Sequence, residues 1–188
     1  MNASIDITGI TLQTERLILR PWRQEDLDDF YEYACVDGVG QMAGWLPHEN
    51  KETTQMILDS FINGKKTFAL ELGGKVIGSL GIEAYKEDEF PELDGICGRS
   101  IGYVLSKDYW GQGFLPEAVK AVQTYLFNTE HFDFLIVSHY DFNHQSRRVI
   151  EKCGFRYIKT IQLNTRYGTT EDTLVYILRR EDWKNAES

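Results

Sequence analysis

Between residues 67 and 85 the chain carries two strand-like runs, TFALEL and KVIGSLGIEAY, separated by Gly73-Gly74. Strand formers on both sides of a Gly-Gly pair predict a β-hairpin, because glycine enters a tight turn without a Cβ penalty. TERLILR at 14–20 alternates polar and apolar residues until Pro21, which cannot donate into a ladder and ends the strand. Residues 24–35 change period: Leu27, Phe30, Tyr31 and Ala34 recur at helical spacing behind an acidic start suited to a helix N-terminus. Residues 51–62 repeat that signal with Met56, Ile57 and Phe61. Further along, SIGYVL at 100–105 reads as a strand, 115–127 as an amphipathic helix with Leu115, Ala118, Val119, Val122 and Leu126 on one stripe, and FLIVSH at 134–139 as a buried strand. A short helix over 144–153 follows, with Asn143 placed as N-cap and Gly154 as its stop, and two strands over 155–164 and 172–179 close the chain. The order β-α-α-β-β-β-α-β-α-β-β predicts an α/β protein (α+β by some schemes) with a mixed sheet and helices on both faces.

Length and charge narrow what such a fold does here. With 188 residues and no low-complexity linker, the chain reads as a single domain over 1–188. The longest apolar runs, such as LVYIL at 174–178, are too short to cross a bilayer, and MNASIDITGI lacks the features of a secretory signal. The expected compartment is the cytoplasm, with no membrane partner. Twenty basic against 29 acidic residues, a net of −9, disfavour nucleic acid as a partner. An acidic chain suits a cationic substrate, although such charge equally serves solubility. Cys35, Cys97 and Cys153 are odd in number and widely spaced, which predicts reduced buried thiols rather than disulfides. His139, His144 and Cys153 have none of the usual zinc spacings, so no metal is expected.

The chemistry concentrates in SIGYVLSKDYWGQGFLPEA, residues 100–118. A strand runs into a turn with Gly111 and Gly113, and the turn opens a helix whose first turn contains Pro116. Free amides at a positive helix end form an anion site that a pyrophosphate suits without any basic side chain. A nucleotide-triphosphate loop would need Lys after its last glycine, and a dinucleotide fingerprint would need glycine where Pro116 stands. Neither nucleotide pattern is met, and a glycine turn that merely packs a helix on a sheet remains open.

A second segment, NHQSRRVIEKCGF at 143–155, changes the balance. Together the two segments resemble the GNAT acyltransferase superfamily, most closely its ribosomal-protein N-terminal acetyltransferase branch. The branch's acyl-CoA loop, close to W-G-x-G-(aromatic)-A-x-E-A, is matched by Trp110, Gly111, Gln112, Gly113, Phe114, Leu115, Pro116, Glu117 and Ala118. Its second motif is matched by Asn143, Ser146, Arg148, Val149, Glu151, Lys152, Gly154 and Phe155. TERLILRPW and LVYILRREDW also look like this branch, so the resemblance covers about 12–184.

The resemblance implies a mixed, mostly antiparallel twisted sheet of about seven strands, split into a V near Leu105 and His139. It implies an N-acetyltransferase that uses acetyl-CoA as cosubstrate and an amine acceptor, and a homodimer by analogy. Carried over by position, Val104 and Leu105 offer backbone contacts to pantetheine. Gly111, Gln112, Gly113, Phe114, Leu115 and Pro116 surround the pyrophosphate, while Asn143 and Ser146 lie near the thioester. Leu115 replaces the family's small residue; Ile150 stands where many members carry the acid Tyr, and Thr165, with Arg166 next, where some carry a carboxylate base. Ser146 is the remaining hydroxyl for the leaving thiolate, or simply a helix-start hydroxyl. Glu83 and His139 are the candidate bases, against a solvated carboxylate and a satisfied buried histidine. Tyr103 and Trp110 read as packing aromatics, and Trp45, Phe90 and Phe142 as core or substrate groove. The acidic 86–94 loop could overhang the acceptor side and favour a cationic amine. A non-catalytic acyl-CoA sensor is the alternative.

Overall fold

The computed structural model describes residues 1–187. Its strands and helices, in chain order, are β1 (Leu12–Gln13), β2 (Ile18–Pro21), α1 (Leu27–Ala34), α2 (Lys51–Gly64), β3 (Thr67–Leu72), β4 (Lys75–Glu83), β5 (Gly98–Leu105), α3 (Phe114–Asn128), β6 (Phe134–Tyr140), α4 (His144–Lys152), β7 (Arg156–Asn164), β8 (Thr170–Arg179) and α5 (Arg180–Glu187). The strands form one eight-stranded sheet in the order β1-β2-β3-β4-β5-β6-β8-β7. Every neighbouring pair is antiparallel except β5–β6. The expected seven strands become eight because the two-residue β1 adds an edge through Leu12 opposite Leu19. Two residues carry no readable alternation, and α5 was likewise absent from the sequence pattern. Trp183 holds α5 down, its ring centroid 5.3 Å from that of Phe127.

Alternation along the strands sends residues to two faces. On one face Phe68, Leu70, Leu80, Ile82 and Leu135 pack with Ala118, Val119, Val122 and Leu126 of α3. On the other, Ala69 and Val76 pack with Phe30 and Ala34 of α1 and Leu58 of α2. Farther along that second face, Phe134, Ile136, Val175 and Ile177 are covered by Tyr85, Phe90 and Leu93 from the β4–β5 connection. In α1 the buried tyrosine is Tyr33 rather than Tyr31, and in α2 Leu58 is buried while Met56 is 73% exposed. The helical period was right, but the buried arc is decided by what the helix meets. Only Cys153 of the three free thiols is fully buried, which corrects the expectation for Cys35 and Cys97.

The β5–β6 ladder opens the sheet. It pairs Gly98 with Phe134 through Ile101 with Val137 and stops there. β5 continues against β4 to Leu105, and β6 continues against β8 to Tyr140. Gly102–Leu105 and Ser138–Tyr140 therefore each keep one edge without a strand partner, and backbone N–H and C=O groups on such edges need partners from elsewhere. Among the described residues no helix is long and apolar enough to cross a membrane.

Candidate active site

The split encloses a cavity of about 490 Å³. Its lining includes Gly111, Gly113, Leu115 and Pro116 from the glycine turn and the start of α3, Tyr103, Val104 and Leu105 from β5, Asn143 and Ser146 at the start of α4, and Glu83, Ser100 and Ser138. Phe114 and His139 complete the expected residues that reach it; Gln112 does not. The Gln112 side chain instead donates to the Asp108 carbonyl at 3.0 Å.

The glycine turn owes its shape to two left-handed residues, Gly111 at φ +76° and Gly113 at φ +83°. Gly113 is also the N-cap of α3, and the first amide to close back is that of Glu117, 3.3 Å from the Gly113 carbonyl. The amides of Phe114 and Leu115 consequently have no acceptor within their own helix, while Pro116 has no N–H to satisfy. Leu115 fits because its side chain leans on the α3-side core. Trp110 is structural, its indole N–H donating to the Leu105 carbonyl at 2.9 Å.

Arg16 braces this turn and was missed from sequence. Its guanidinium lies 4.2 Å from the centroid of the Phe114 ring and donates to the Gln112 carbonyl at 2.9 Å. It is also ion-paired with Glu117 at 2.7 Å. Glu117 further accepts from the Thr14 hydroxyl and the Arg16 amide. Partial burial opposes ionisation, yet these donors hold the Glu117 carboxyl below the usual range. No local spacing signals a pair 101 residues apart in the chain.

Across the cavity, α4 is tied down by Asn143. Its Oδ1 accepts from the Ser146 amide at 3.0 Å, and its Nδ2 donates to the Met42 carbonyl at 3.1 Å. Both ends of the side chain are thus engaged in positioning, as the N-cap reading expected on one side only. The Ser146 Oγ lies 3.0 Å from the Tyr103 hydroxyl.

The two candidate bases sit differently. His139 is 4% exposed; its Nδ1 lies 2.8 Å from the Tyr140 carbonyl, and its Nε2 lies 3.3 Å from the Tyr176 hydroxyl. A carbonyl only accepts, so Nδ1 carries the proton and Nε2 accepts from Tyr176. Burial pushes the imidazole pKa down, against the opposing pull of the Tyr140 carbonyl, so the ring is neutral at physiological pH. Glu83 ends β4 half-exposed and ion-paired with Lys66. Ile150 is buried in the core, and Thr165 closes the β7–β8 turn by accepting from the Thr169 amide at 3.0 Å. Neither place carries an ionisable group.

The 86–94 stretch does not border the cavity. Its Phe90 and Leu93 plug the sheet face, Glu87 accepts from the Asn2 amide at 2.6 Å, and Glu89 pairs with Lys86 at 2.9 Å. Phe90 is therefore core. Trp45 packs beside His48, and Phe142 stacks on Tyr140, which itself reaches the cavity. Among the described residues no group of three His, Cys, Asp or Glu could hold a metal ion.

The model of the acetyltransferase (GNAT) domain matches residues 16–156. An uncharacterized N-acetyltransferase, p20 of Bacillus licheniformis, is 32% identical over 127 residues, covering 63% of this chain and 67% of that protein. The crystal structure of a GNAT-family acetyltransferase from Bacillus anthracis superposes with a TM-score of 0.79 at 22% identity, covering 92% of this chain and 99% of that one. The microcin C7 self-immunity acetyltransferase MccE, solved in complex with acetyl-CoA and AMP, superposes at 0.73 with 14% identity, over 88% of this chain and 93% of that one.

Proposed function

The chain belongs to the GNAT acetyltransferase family, and from that premise we propose that it moves an acetyl group from acetyl-CoA to a primary amine by direct attack while both are bound in the split. The observation that carries this reading is the continuity of one cavity from the glycine turn at the start of α3 to the open edges of β5 and β6. A long donor with phosphates at one end and a thioester at the other fits such a cleft. The amides around Gly113 and the helix start would face the pyrophosphate. Arg148 and Lys152, which also border the cavity, add positive charge. The edge groups of Val104 and Leu105 would take the pantetheine amides as a strand would.

Bound there, acetyl-CoA supplies the activated acyl group, and the chain supplies position and hydrogen bonds. Ser146, which lines the same cavity, would donate to the leaving sulfur. An acceptor amine would enter on the Glu83 and Ser138 side, and positioning would carry the step, since Ile150 and Thr165 hold the family-typical ionisable positions. His139 offers a neutral ring whose nitrogens are already engaged. Those same features favour the second reading, an acyl-CoA sensor without turnover.

Calorimetric titration with acetyl-CoA, followed by release of free CoA thiol over a panel of peptide N-termini, polyamines, aminoglycosides and amino acids, decides between them. Binding with thiol release for at least one amine is expected. Binding without release selects the sensor, and no binding overturns both. If the acidic charge steers a cationic acceptor, its kcat/KM falls with salt while that of a neutral amine does not.

The brace at Arg16 yields a sharper check on the pyrophosphate end. Arg16→Gln should weaken acetyl-CoA about five- to tenfold, roughly 1 kcal/mol, by releasing the Gln112 carbonyl and the charge beside the turn. Turnover of acetyl-pantetheine, which lacks the pyrophosphate, should stay within twofold. An equal loss with both donors would make Arg16 a general structural residue.

A further inference from the structure

Resting on the acetyltransferase reading, we infer that Tyr103 positions Ser146 for catalysis, donating its hydroxyl hydrogen to Ser146 Oγ so that the serine's own hydrogen points into the cleft at the departing sulfur. The two oxygens are 3.0 Å apart and both side chains border the cavity. They come from different elements: Tyr103 is the residue before Val104 on the open-edged strand β5, and Ser146 lies in the first turn of α4.

The direction of the hydrogen bond follows from what each group can do. A hydroxyl carries one hydrogen. Once Ser146 directs its hydrogen at sulfur in a hydrogen bond, its oxygen has only lone pairs to offer, and Tyr103 is the donor beside it. The tyrosine's other neighbour on α4, the Ser146 carbonyl at 3.4 Å, can only accept and is the longer contact. A chain of two hydroxyls polarised in one direction makes the terminal donor stronger than a lone serine. Asn143 fixes the remaining freedom by holding the Ser146 amide at 3.0 Å. The pair thus offers a hydrogen bond to the departing sulfur where Ile150 offers no acid, with its tyrosine on a strand rather than on the helix.

Burial pushes the Tyr103 phenol pKa up. A phenolate is therefore disfavoured, and the pair stabilises charge on sulfur without surrendering a proton. In the step itself the acceptor nitrogen forms the C–N bond, and the C–S bond breaks with its electron pair on sulfur. The proton lost by nitrogen is the one the thiol, or water, carries away. Tyr103 and Ser146 end protonated as they began, and no further reactant is needed.

The test is a double-variant cycle on the full chain with saturating acceptor. Tyr103→Phe should lower kcat about three- to tenfold with KM for acetyl-CoA and its calorimetric affinity within twofold. Ser146→Ala should lower kcat about tenfold or more, and the double variant should be no slower than Ser146→Ala by about twofold at most. Thermal melts set an assay temperature at which all variants are folded. Multiplying losses in the double variant, or a Tyr103→Phe effect confined to KM, overturns the inference, as does an unchanged kcat for Tyr103→Phe in an active protein. A wild-type chain that releases no thiol with any amine overturns the acetyltransferase reading instead.

Discussion

Gly113→Asp is expected to lower acetyl-CoA affinity at least about tenfold, or roughly 1.4 kcal/mol. Three effects add. The substitution puts a side chain at φ +83°, a conformation that L residues enter at a cost of about 1–2 kcal/mol. The new Cβ would stand 3.5 Å from Arg16 Nη2, so the carboxylate can pair with the guanidinium that now braces the turn. The same carboxylate can also accept from the first amides of α3, where the pyrophosphate is proposed to sit. The variant carries its own anion in the site, so it should remain folded while losing the ligand. Calorimetry reads the affinity, and circular dichroism reads the fold. Unchanged binding by a folded variant would remove the 111–116 turn from the donor site. Gly111→Ala is the companion: φ is +76° but no atom lies within 4 Å of its added Cβ, so backbone strain acts by itself and the loss should be smaller.

The second large effect concerns stability. Asp26→Ala should cost about 3–5 kcal/mol and lower Tm by roughly 6–20 °C. Arg20 and Asp26 are 5% and 6% exposed, and they meet through two 2.8 Å hydrogen bonds. Asp26 also accepts from the Arg23 amide at 2.8 Å, which shapes the turn that starts α1. Without it, a buried guanidinium keeps Glu71, at 2.6 Å, as its remaining carboxylate partner among the described residues. The exposed pair Lys51–Asp28 also spans 2.7 Å, yet Lys51→Ala should leave the urea midpoint nearly unchanged because water solvates both partners. Urea unfolding of the two variants separates the cases. A loss for Asp26→Ala no larger than for Lys51→Ala would show that Arg20 relaxes onto Glu71 or into solvent.

The candidate site was legible in the sequence where it is made of backbone. A turn built from glycines, a helix opening at Phe114 and an N-cap at Asn143 are short-range features, and they stand where local rules place them. Side-chain partners were less legible. Asn143 was readable as a cap, but its second bond to Met42 spans 101 residues. Tyr103 looked like a packing aromatic because nothing near it in sequence announces Ser146, 43 residues on. The acidic run at 86–94 suggested a substrate-facing field, whereas Phe90 and Leu93 within it anchor the loop to the sheet.

The amino-acid sequence by itself determined the kinds of elements and most of their limits. The hairpin strands Thr67–Leu72 and Lys75–Glu83 follow from strand formers on either side of Gly73-Gly74, the α3 stripe from its helical period, and the end of α4 from Gly154 at φ +81°. These depend on dihedral preferences and side-chain periods that act within a few residues. Only the tertiary structure decided that β5 pairs with β6 in parallel and parts from it after Ile101, that Met56 faces outward, that Arg16 reaches Glu117, and that Trp183 holds a helix the pattern had not shown. Those outcomes depend on which surfaces meet when distant segments bury their apolar faces together, and a meeting between segments leaves no periodic mark in either one.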